Sequence, residues 1–166
     1  MRLSLRPDRV FQQYTQVTAP LLQSRGVKLL LCDLDYTLAP KGQTLPDELV
    51  LEWVEALHAV GIQVVILSNN RSTERVHRFC KELGIPYIGH AGKPRPGSFH
   101  RVMEEKGVST SQTAMLGDKL LTDMLGANLS GIWALMVEPK GGAVGIWNHI
   151  LHILQRPWKA WRREKE

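Results

Sequence analysis

The stretch from residue 27 to residue 37, VKLLLCDLDYT, decides the fold, because an apolar run ends in two acids separated by one residue. A short run that is apolar on both faces is typical of a buried strand in a parallel sheet. Strand alternation would place Asp33 and Asp35 on one face. Crowded carboxylates repel unless a cation lies between them, and hard divalent cations prefer oxygen ligands. The stretch therefore predicts a buried strand that ends in a metal site, with solvated loop carboxylates as the simpler alternative.

A calcium-binding loop of the EF-hand type would also begin with spaced acids. Such a loop needs glycine at its sixth position and glutamate at its twelfth. Counted from Asp33, these positions hold Leu38 and Thr44, so the sequence excludes this type of loop.

Four more short apolar runs follow the first, at residues 63–67, 86–88, 113–116 and 132–137. The segments between the five runs have apolar residues at helical spacing. The first helix is expected to start within residues 44–47 and the fourth near Thr122, and the helices are followed by Gly61, Gly84, Gly107 and Gly131. This alternation predicts one α/β domain with three layers (α/β/α) and a five-stranded parallel sheet. Ligands of such sheets bind beyond the carboxyl ends of the strands.

Polar residues follow each of the next three predicted strands. Ser68 and Asn69 follow the second strand, Lys93 lies in a proline-rich loop after the third, and Asp118 and Asp123 follow the fourth. Each signal has an ordinary explanation of its own: a turn serine, a solvated lysine, or a first-turn helix acid. No such explanation accounts for their joint order, which is an acid pair, a serine, a lysine and a second acid pair.

This order resembles the four motifs of the haloacid dehalogenase superfamily of phosphohydrolases, which implies a Rossmann-like domain from residue 27 to residue 137. The leader segments LRPD (5–8), TAPLL (18–22) and RGVK (25–28) are similar to those of the YqeG family of subfamily IIIA. That family is related to phosphatidylglycerophosphate phosphatases. Tyr36 occupies a variable position at which many relatives carry Asn or Gly.

The resemblance implies a role for each residue of the motifs. Asp33 would attack phosphorus and form an aspartyl-phosphate, and Asp35 would act as general acid and base. Mg²⁺ would be held by Asp33, by Asp118 and by the backbone carbonyl of Asp35, and Asp123 would support this site. The residues that bind phosphate would be Thr37, Ser68, Asn69 and Lys93. Thr37 would also hold the local turn.

Two gaps between the motifs could house a cap domain that covers the site, but residues 38–44 and 84–93 are too few. A capless site predicts a phosphomonoester presented on a large body, such as a protein, a nucleic acid, an oligosaccharide or a membrane lipid. A partner subunit could also supply the closure.

The ends of the chain predict its partners. Residues 1–26 are expected to form a helical leader, and residues 146–166 a basic, tryptophan-rich helix of a single domain that spans 1–166. Tryptophans among basic residues suit an anionic membrane surface, while packing on the domain and stacking on nucleic acid are the alternatives. The net charge of +5 also favours anionic partners.

Two cysteines, Cys32 and Cys80, cannot make a disulfide framework. No apolar run is long enough to span a bilayer, and the N-terminal residues do not have the apolar core of a secretory signal. The expected location is therefore cytoplasmic, with peripheral membrane contact. His90, His100 and His149 have no metal-ligand spacing.

Together these features predict a magnesium-dependent phosphatase that acts on phosphatidylglycerophosphate. The alternatives are a phosphatase for a soluble sugar phosphate, nucleotide or nucleic-acid end, and a non-catalytic binding module on the same scaffold. The intact set of site residues argues against the binding module.

Overall fold

The computed structural model of the protein describes residues 1–140, so the helix predicted at 146–166 lies outside the described residues. Its strands form one parallel sheet in the order β1-β6-β5-β2-β3-β4. The strands are β1 (Arg9–Phe11), β2 (Leu29–Cys32), β3 (Gln63–Leu67), β4 (Tyr87–Ile88), β5 (Thr113–Gly117) and β6 (Trp133–Val137). All five predicted strands are present, but the sheet has six strands rather than five.

The additional strand comes from the leader, which is therefore only partly helical. Residues Arg9–Phe11 pair with the last strand, and Asp8 closes the pairing by donating its N–H to Ala134 O (2.8 Å) and accepting from Ala134 N (2.9 Å). The leader continues through a 3₁₀ turn to the short helix α1 (Ala19–Ser24), capped by Thr18. Three residues in a charged context are too few to show a strand period, which is why the sequence did not reveal β1.

Four further helices cover the two faces of the sheet. They are α2 (Glu48–Ala59), α3 (Thr73–Leu83), α4 (Gly97–Lys106) and α5 (Leu125–Ser130), the last preceded by a π-helical turn at Leu120–Met124. Asp47 caps α2 by accepting a hydrogen bond from Val50 N at 3.0 Å. The predicted stops at Gly84, Gly107 and Gly131 adopt the left-handed conformation that ends a helix at low steric cost.

The core divides into two apolar clusters, one on each face of the sheet. One contains Trp53, Leu57 and Phe79 from α2 and α3, and the other contains Phe99 and Met103 from α4. The four residues of β2 are fully buried between them. The predicted three-layer α/β/α architecture is therefore confirmed.

The strand order brings the expected site residues to one edge of the sheet. Strand β2 is central, with β3 on one side and β5 on the other, and Cys32 lies opposite both Ile66 and Leu116. Since parallel strands end at the same edge, the loops after β2, β3, β4 and β5 surround one cleft.

Candidate active site

Asp33 stands at the carboxyl end of β2, where its backbone N–H donates to Leu116 O at 2.9 Å. The chain then turns back on itself, with Leu38 N donating to Leu34 O at 3.1 Å and Tyr36 N to Ala39 O at 2.7 Å. Tyr36 has a φ of +65°, a conformation that Asn and Gly adopt more easily than tyrosine. The turn places both Asp33 and Asp35 on the wall of the cleft.

Lys93 is the electrostatic centre of the site. Its buried ammonium donates to Asp33 Oδ1 at 2.8 Å and to Asp123 Oδ1 at 2.7 Å. Burial opposes charge on both partners, but the carboxylates raise the pKa of Lys93, and Lys93 and Lys119 hold the pKa of Asp33 below its usual range. Asp33 is therefore ionised at neutral pH and available as an anionic nucleophile.

Asp35 is oriented by two residues from the segment after β3. Asn70 Nδ2 donates to Asp35 Oδ2 at 2.8 Å, and Arg75 Nη1 lies 2.6 Å from Asp35 Oδ1. The second contact is an ion pair rather than a well-aligned hydrogen bond. Arg75, which is buried, also donates to Gln43 O at 2.8 Å, so it ties the loop after β2 to helix α3.

Ser68 and Asn69 follow β3 and line the cleft beside Lys93. The buried Ser68 hydroxyl accepts a hydrogen bond from Asn70 N at 3.0 Å, which leaves its own proton for an acceptor in the cleft. The Asn69 side chain exchanges two hydrogen bonds with the backbone of Lys93. It therefore connects the loops after β3 and β4.

Asp118 and Asp123 follow β5 and are both buried. Thr37 Oγ1 donates to Asp118 Oδ1 at 3.2 Å, so this hydroxyl positions a carboxylate and does not face the cleft. Burial, together with the charges of Asp33 and Asp123, raises the pKa of Asp118 to about 7 against the opposing effect of Lys119.

Asp123 holds its neighbours in place. Both of its oxygens are engaged, Oδ1 by Lys93 Nζ and Oδ2 by the backbone N–H of Lys119 at 3.1 Å. Burial, the largest effect, raises its pKa against the opposing charge of Lys93. A Cβ at Gly117 would overlap the carboxyl group of Asp123, so this packing requires a glycine there.

A divalent cation fits the oxygen atoms that converge here. Carboxylate oxygens of Asp33, Asp118 and Asp123 lie within 4.8 Å of one another. The ammonium of Lys119 lies 2.7 Å from Asp118 Oδ1 and 3.4 Å from both Asp33 Oδ2 and the backbone oxygen of Asp35. Oxygen ligands and excess negative charge are what Mg²⁺ and similar cations prefer, so the residues present suit such an ion.

The cleft that these residues border is open and has a volume of about 380 Å³. It is basic at its rim, where the side chains of Lys41 and Arg71 have no carboxylate partner within residues 1–140. Its lining comprises Asp33, Asp35, Tyr36, Lys41, Ser68, Asn69, Asn70, Arg71, Lys93, Lys119 and Thr122.

The predicted site residues thus meet at one edge of the sheet, and the family model for haloacid dehalogenase-like hydrolases matches residues 6–131. The chain belongs to this family. The hydrolase is 34% identical over 139 residues to the probable phosphatase YqeG of Bacillus subtilis, a match that covers 84% of this chain and 80% of the relative.

A second relative has a named lipid substrate. The chain is 30% identical over 126 residues to the chloroplastic phosphatidylglycerophosphate phosphatase 1 of Chlamydomonas reinhardtii. That match covers 71% of this chain but 47% of the algal protein, so the chain spans about half of this relative's length.

Solved structures share the fold of this hydrolase. The cobalt-bound deoxy-D-mannose-octulosonate 8-phosphate phosphatase of Haemophilus influenzae superposes with a TM-score of 0.57 at 17% identity. The superposition covers 83% of this chain and 92% of that one. The family and its named phosphatases make this protein a phosphoric monoester hydrolase.

Three residues that contact the predicted catalytic and metal-binding carboxylates were not identified from the sequence. Asn70 and Arg75 hold Asp35, and Lys119 contacts the predicted metal ligands. Adjacency to Ser68-Asn69 and to Gly117-Asp118 was the available signal for Asn70 and Lys119. Arg75 gave no such signal, because a single arginine in a helix usually lies on the solvated face.

Within residues 1–140, no helix has both the length and the apolar character needed to cross a bilayer.

Proposed function

We propose that this hydrolase is a magnesium-dependent phosphatase that forms an aspartyl-phosphate on Asp33 and acts on phosphatidylglycerophosphate. One observation carries the mechanism: Asp33 is buried yet kept ionised by Lys93, beside an Asp35 that Asn70 and Arg75 hold at the wall of the same open cleft.

In the first step, an Asp33 oxygen attacks phosphorus while the bond between phosphorus and the leaving oxygen breaks. Asp35 donates its proton to that leaving oxygen, which departs as an alcohol. Lys93 and Ser68 bind the non-bridging oxygens of the phosphoryl group and offset its charge. A divalent cation among Asp33, the Asp35 carbonyl and Asp118 would reduce the repulsion between the attacking carboxylate and the anionic phosphate.

In the second step, Asp35 takes a proton from a water molecule that attacks the phosphorus of the aspartyl-phosphate. The bond between phosphorus and the Asp33 oxygen breaks, which releases inorganic phosphate and restores the carboxylate. Asn70 and Arg75 keep Asp35 in place for both proton transfers, and Thr37 and Asp123 position Asp118 and Lys93.

Several features support a lipid substrate. The named algal relative acts on phosphatidylglycerophosphate, and the open cleft leaves room for a head group whose lipid body stays outside. Lys41 and Arg71 at the rim suit the second, diester phosphate of such a head group, because each is a cation without a carboxylate partner among residues 1–140. The basic tryptophan-rich segment 146–166 suits an anionic membrane surface.

The test is phosphate release from a short-chain phosphatidylglycerophosphate with Mg²⁺, for the wild type and Asp33→Asn. The proposal expects release by the wild type, loss of at least about a thousandfold in the variant, and loss on chelation of the metal. An active Asp33→Asn variant would overturn the nucleophile assignment. Faster release from sugar phosphates, nucleotides or nucleic-acid ends than from the lipid would overturn the substrate and leave the phosphatase.

The membrane contact has a separate test. Deleting the residues after Pro157 is expected to lower activity on vesicles that contain the lipid and to leave activity on the dissolved short-chain substrate unchanged. Equal activity of the two chains on vesicles would argue against a membrane role for the tail.

A further inference from the structure

Lys119 makes a set of contacts that differs from that of the other cleft lysine. Its ammonium lies 2.7 Å from Asp118 Oδ1, 3.4 Å from Asp33 Oδ2 and 3.4 Å from the backbone oxygen of Asp35. Lys93 instead contacts the other oxygen of Asp33 and the carboxylate of Asp123. The two lysines therefore occupy different places around the same carboxylate.

The three oxygens around Lys119 come from the same three residues that are proposed to ligate the metal. The same three oxygens cannot surround an ammonium group and a divalent cation at once, because both groups would have to occupy the one space between those oxygens. One of them must leave when the other is present.

We propose that the Lys119 ammonium occupies the metal's place in the metal-free enzyme and is displaced from it when the divalent cation binds. The inference rests on the proposed metal site and is independent of the proposed substrate. Lys119 is in this sense a positioning residue: it keeps three mutually repelling oxygen groups together until the cation arrives.

The surroundings of Lys119 allow this exchange. Its side chain is 28% exposed, whereas that of Lys93 is 1% exposed, so Lys119 has room to move toward solvent and Lys93 does not. The ammonium also lies 5.4 Å from the centre of the Tyr36 ring, whose face attracts a cation. Four rotatable bonds let the displaced group move within the cleft that it already lines.

Two consequences follow for the protein without substrate. Metal binding must work against a resident cation, so a neutral residue at position 119 should strengthen it. The metal-free protein should also lose stability with that neutral residue, since the buried carboxylates then face one another with one cation fewer.

The first test is calorimetric titration of the metal-free protein with Mg²⁺ and Mn²⁺, for the wild type, Lys119→Gln and the control Lys41→Gln. The control removes the same charge from the rim of the cleft, away from the ligands. Lys119→Gln is expected to lower the dissociation constant at least about tenfold and Lys41→Gln by less than about twofold. Lys119→Gln should also lower the Tm of the metal-free protein and increase the gain in Tm that metal produces. An unchanged dissociation constant, or equal changes in both variants, would overturn the inference.

The second test uses the wild type and does not depend on how a variant folds. An amine-reactive ester labels lysines at a rate set by their exposure and free-base fraction, and mass spectrometry reads the rate at each site. Added Mg²⁺ is expected to speed labelling of Lys119 severalfold and to leave Lys41 unchanged. Equal labelling of Lys119 with and without metal would show that the ammonium is not displaced. Because neither test uses turnover, a positive result stands even if the enzyme releases no phosphate from the proposed lipid.

Discussion

The side chain of Asn69 and the backbone of Lys93 exchange two hydrogen bonds. Asn69 Nδ2 donates to Lys93 O at 2.9 Å, and Lys93 N donates to Asn69 Oδ1 at 3.0 Å. The pair fixes where the loop after β4 leaves the sheet, and with it where the Lys93 ammonium meets Asp33. The predicted phosphate contact of Asn69 remains a prediction, since its amide already holds the lysine loop.

Replacing Asn69 with alanine removes both bonds without touching a charged group. Each lost bond is expected to cost about 0.5–1.5 kcal/mol of the free energy of unfolding. A shift of about 1 Å in the Lys93 ammonium should lower kcat by roughly ten- to a hundredfold. Urea unfolding and steady-state kinetics check the two effects. A variant with normal kcat would mean that Lys93 is positioned by its ion pairs alone.

Arg75 is expected to matter through Asp35 rather than through phosphate. The Arg75→Gln variant should lower kcat by about tenfold or more and change KM by less than about twofold, because phosphoryl binding by Lys93 and Ser68 is untouched. Arg75→Lys should recover part of the loss, since it restores the charge beside Asp35 but not the bond to Gln43 O. A rise in KM at constant kcat would instead indicate a direct substrate contact.

Gly117 has no room for a side chain. In a Gly117→Ala variant, the added methyl group would displace the Asp123 carboxyl and the Lys93 ammonium bound to it, at an expected cost of about 1–3 kcal/mol of stability together with most of the activity. Gly97, the first residue of α4, is the matched control, because a Cβ there meets no atom within 4 Å. Gly97→Ala should leave activity unchanged and stabilise the protein by up to about 1 kcal/mol. Thermal melts of the two variants make the comparison.

The rim cations should discriminate between substrates. With Lys41 and Arg71 both changed to glutamine, KM is expected to rise about tenfold for the short-chain lipid, which carries a second phosphate. For para-nitrophenyl phosphate, which has one phosphate, KM should stay within about twofold. Parallel kinetics on both substrates decide the matter. Equal changes for the two would mean that the rim acts on the transferred phosphate itself.

The two thiols are expected to be inert in the folded protein. Both are buried, and burial raises the pKa of Cys80 to about 12 and that of Cys32 further still. At pH 8 to 9 both therefore stay protonated, and raising the pH within this range should not speed their reaction with a disulfide reagent. Both should react at once in 6 M guanidinium chloride. Fast labelling of the native protein at pH 8 would show that the core opens around Cys32 or Cys80.

The sequence predicted the central part of this fold well because the signals there are local. Residues 29–32 are fully buried on both faces, so an uninterrupted apolar run was enough to predict β2, and the acids at its end followed. Three glycine stops were also predictable, since a left-handed residue that ends a helix favours glycine.

The missing parts depend on contacts between distant segments. The partners of Asp35 come from 35 and 40 positions further along the chain, and no local pattern pairs Arg75 with a carboxylate rather than with water. Likewise, the hydroxyl of Thr37 contacts Asp118, 81 positions away, a pairing that no local pattern predicts. The predicted phosphate contact of Thr37 remains a prediction. Spacing predicts which residues reach the cleft but not which of them are already bonded to each other.

Strand β1 and the rest of the leader limit how far the enzyme can be shortened. Residues 27–137 contain every proposed site residue, but a chain cut to that segment would leave Trp133–Val137 as a bare edge strand with unpaired backbone groups. It would also expose Trp53, whose indole N–H donates to Val17 O at 2.9 Å and whose ring packs against Tyr14. Apolar edge strands of this kind recruit other chains. Residues with no part in the chemistry thus protect the molecule against aggregation.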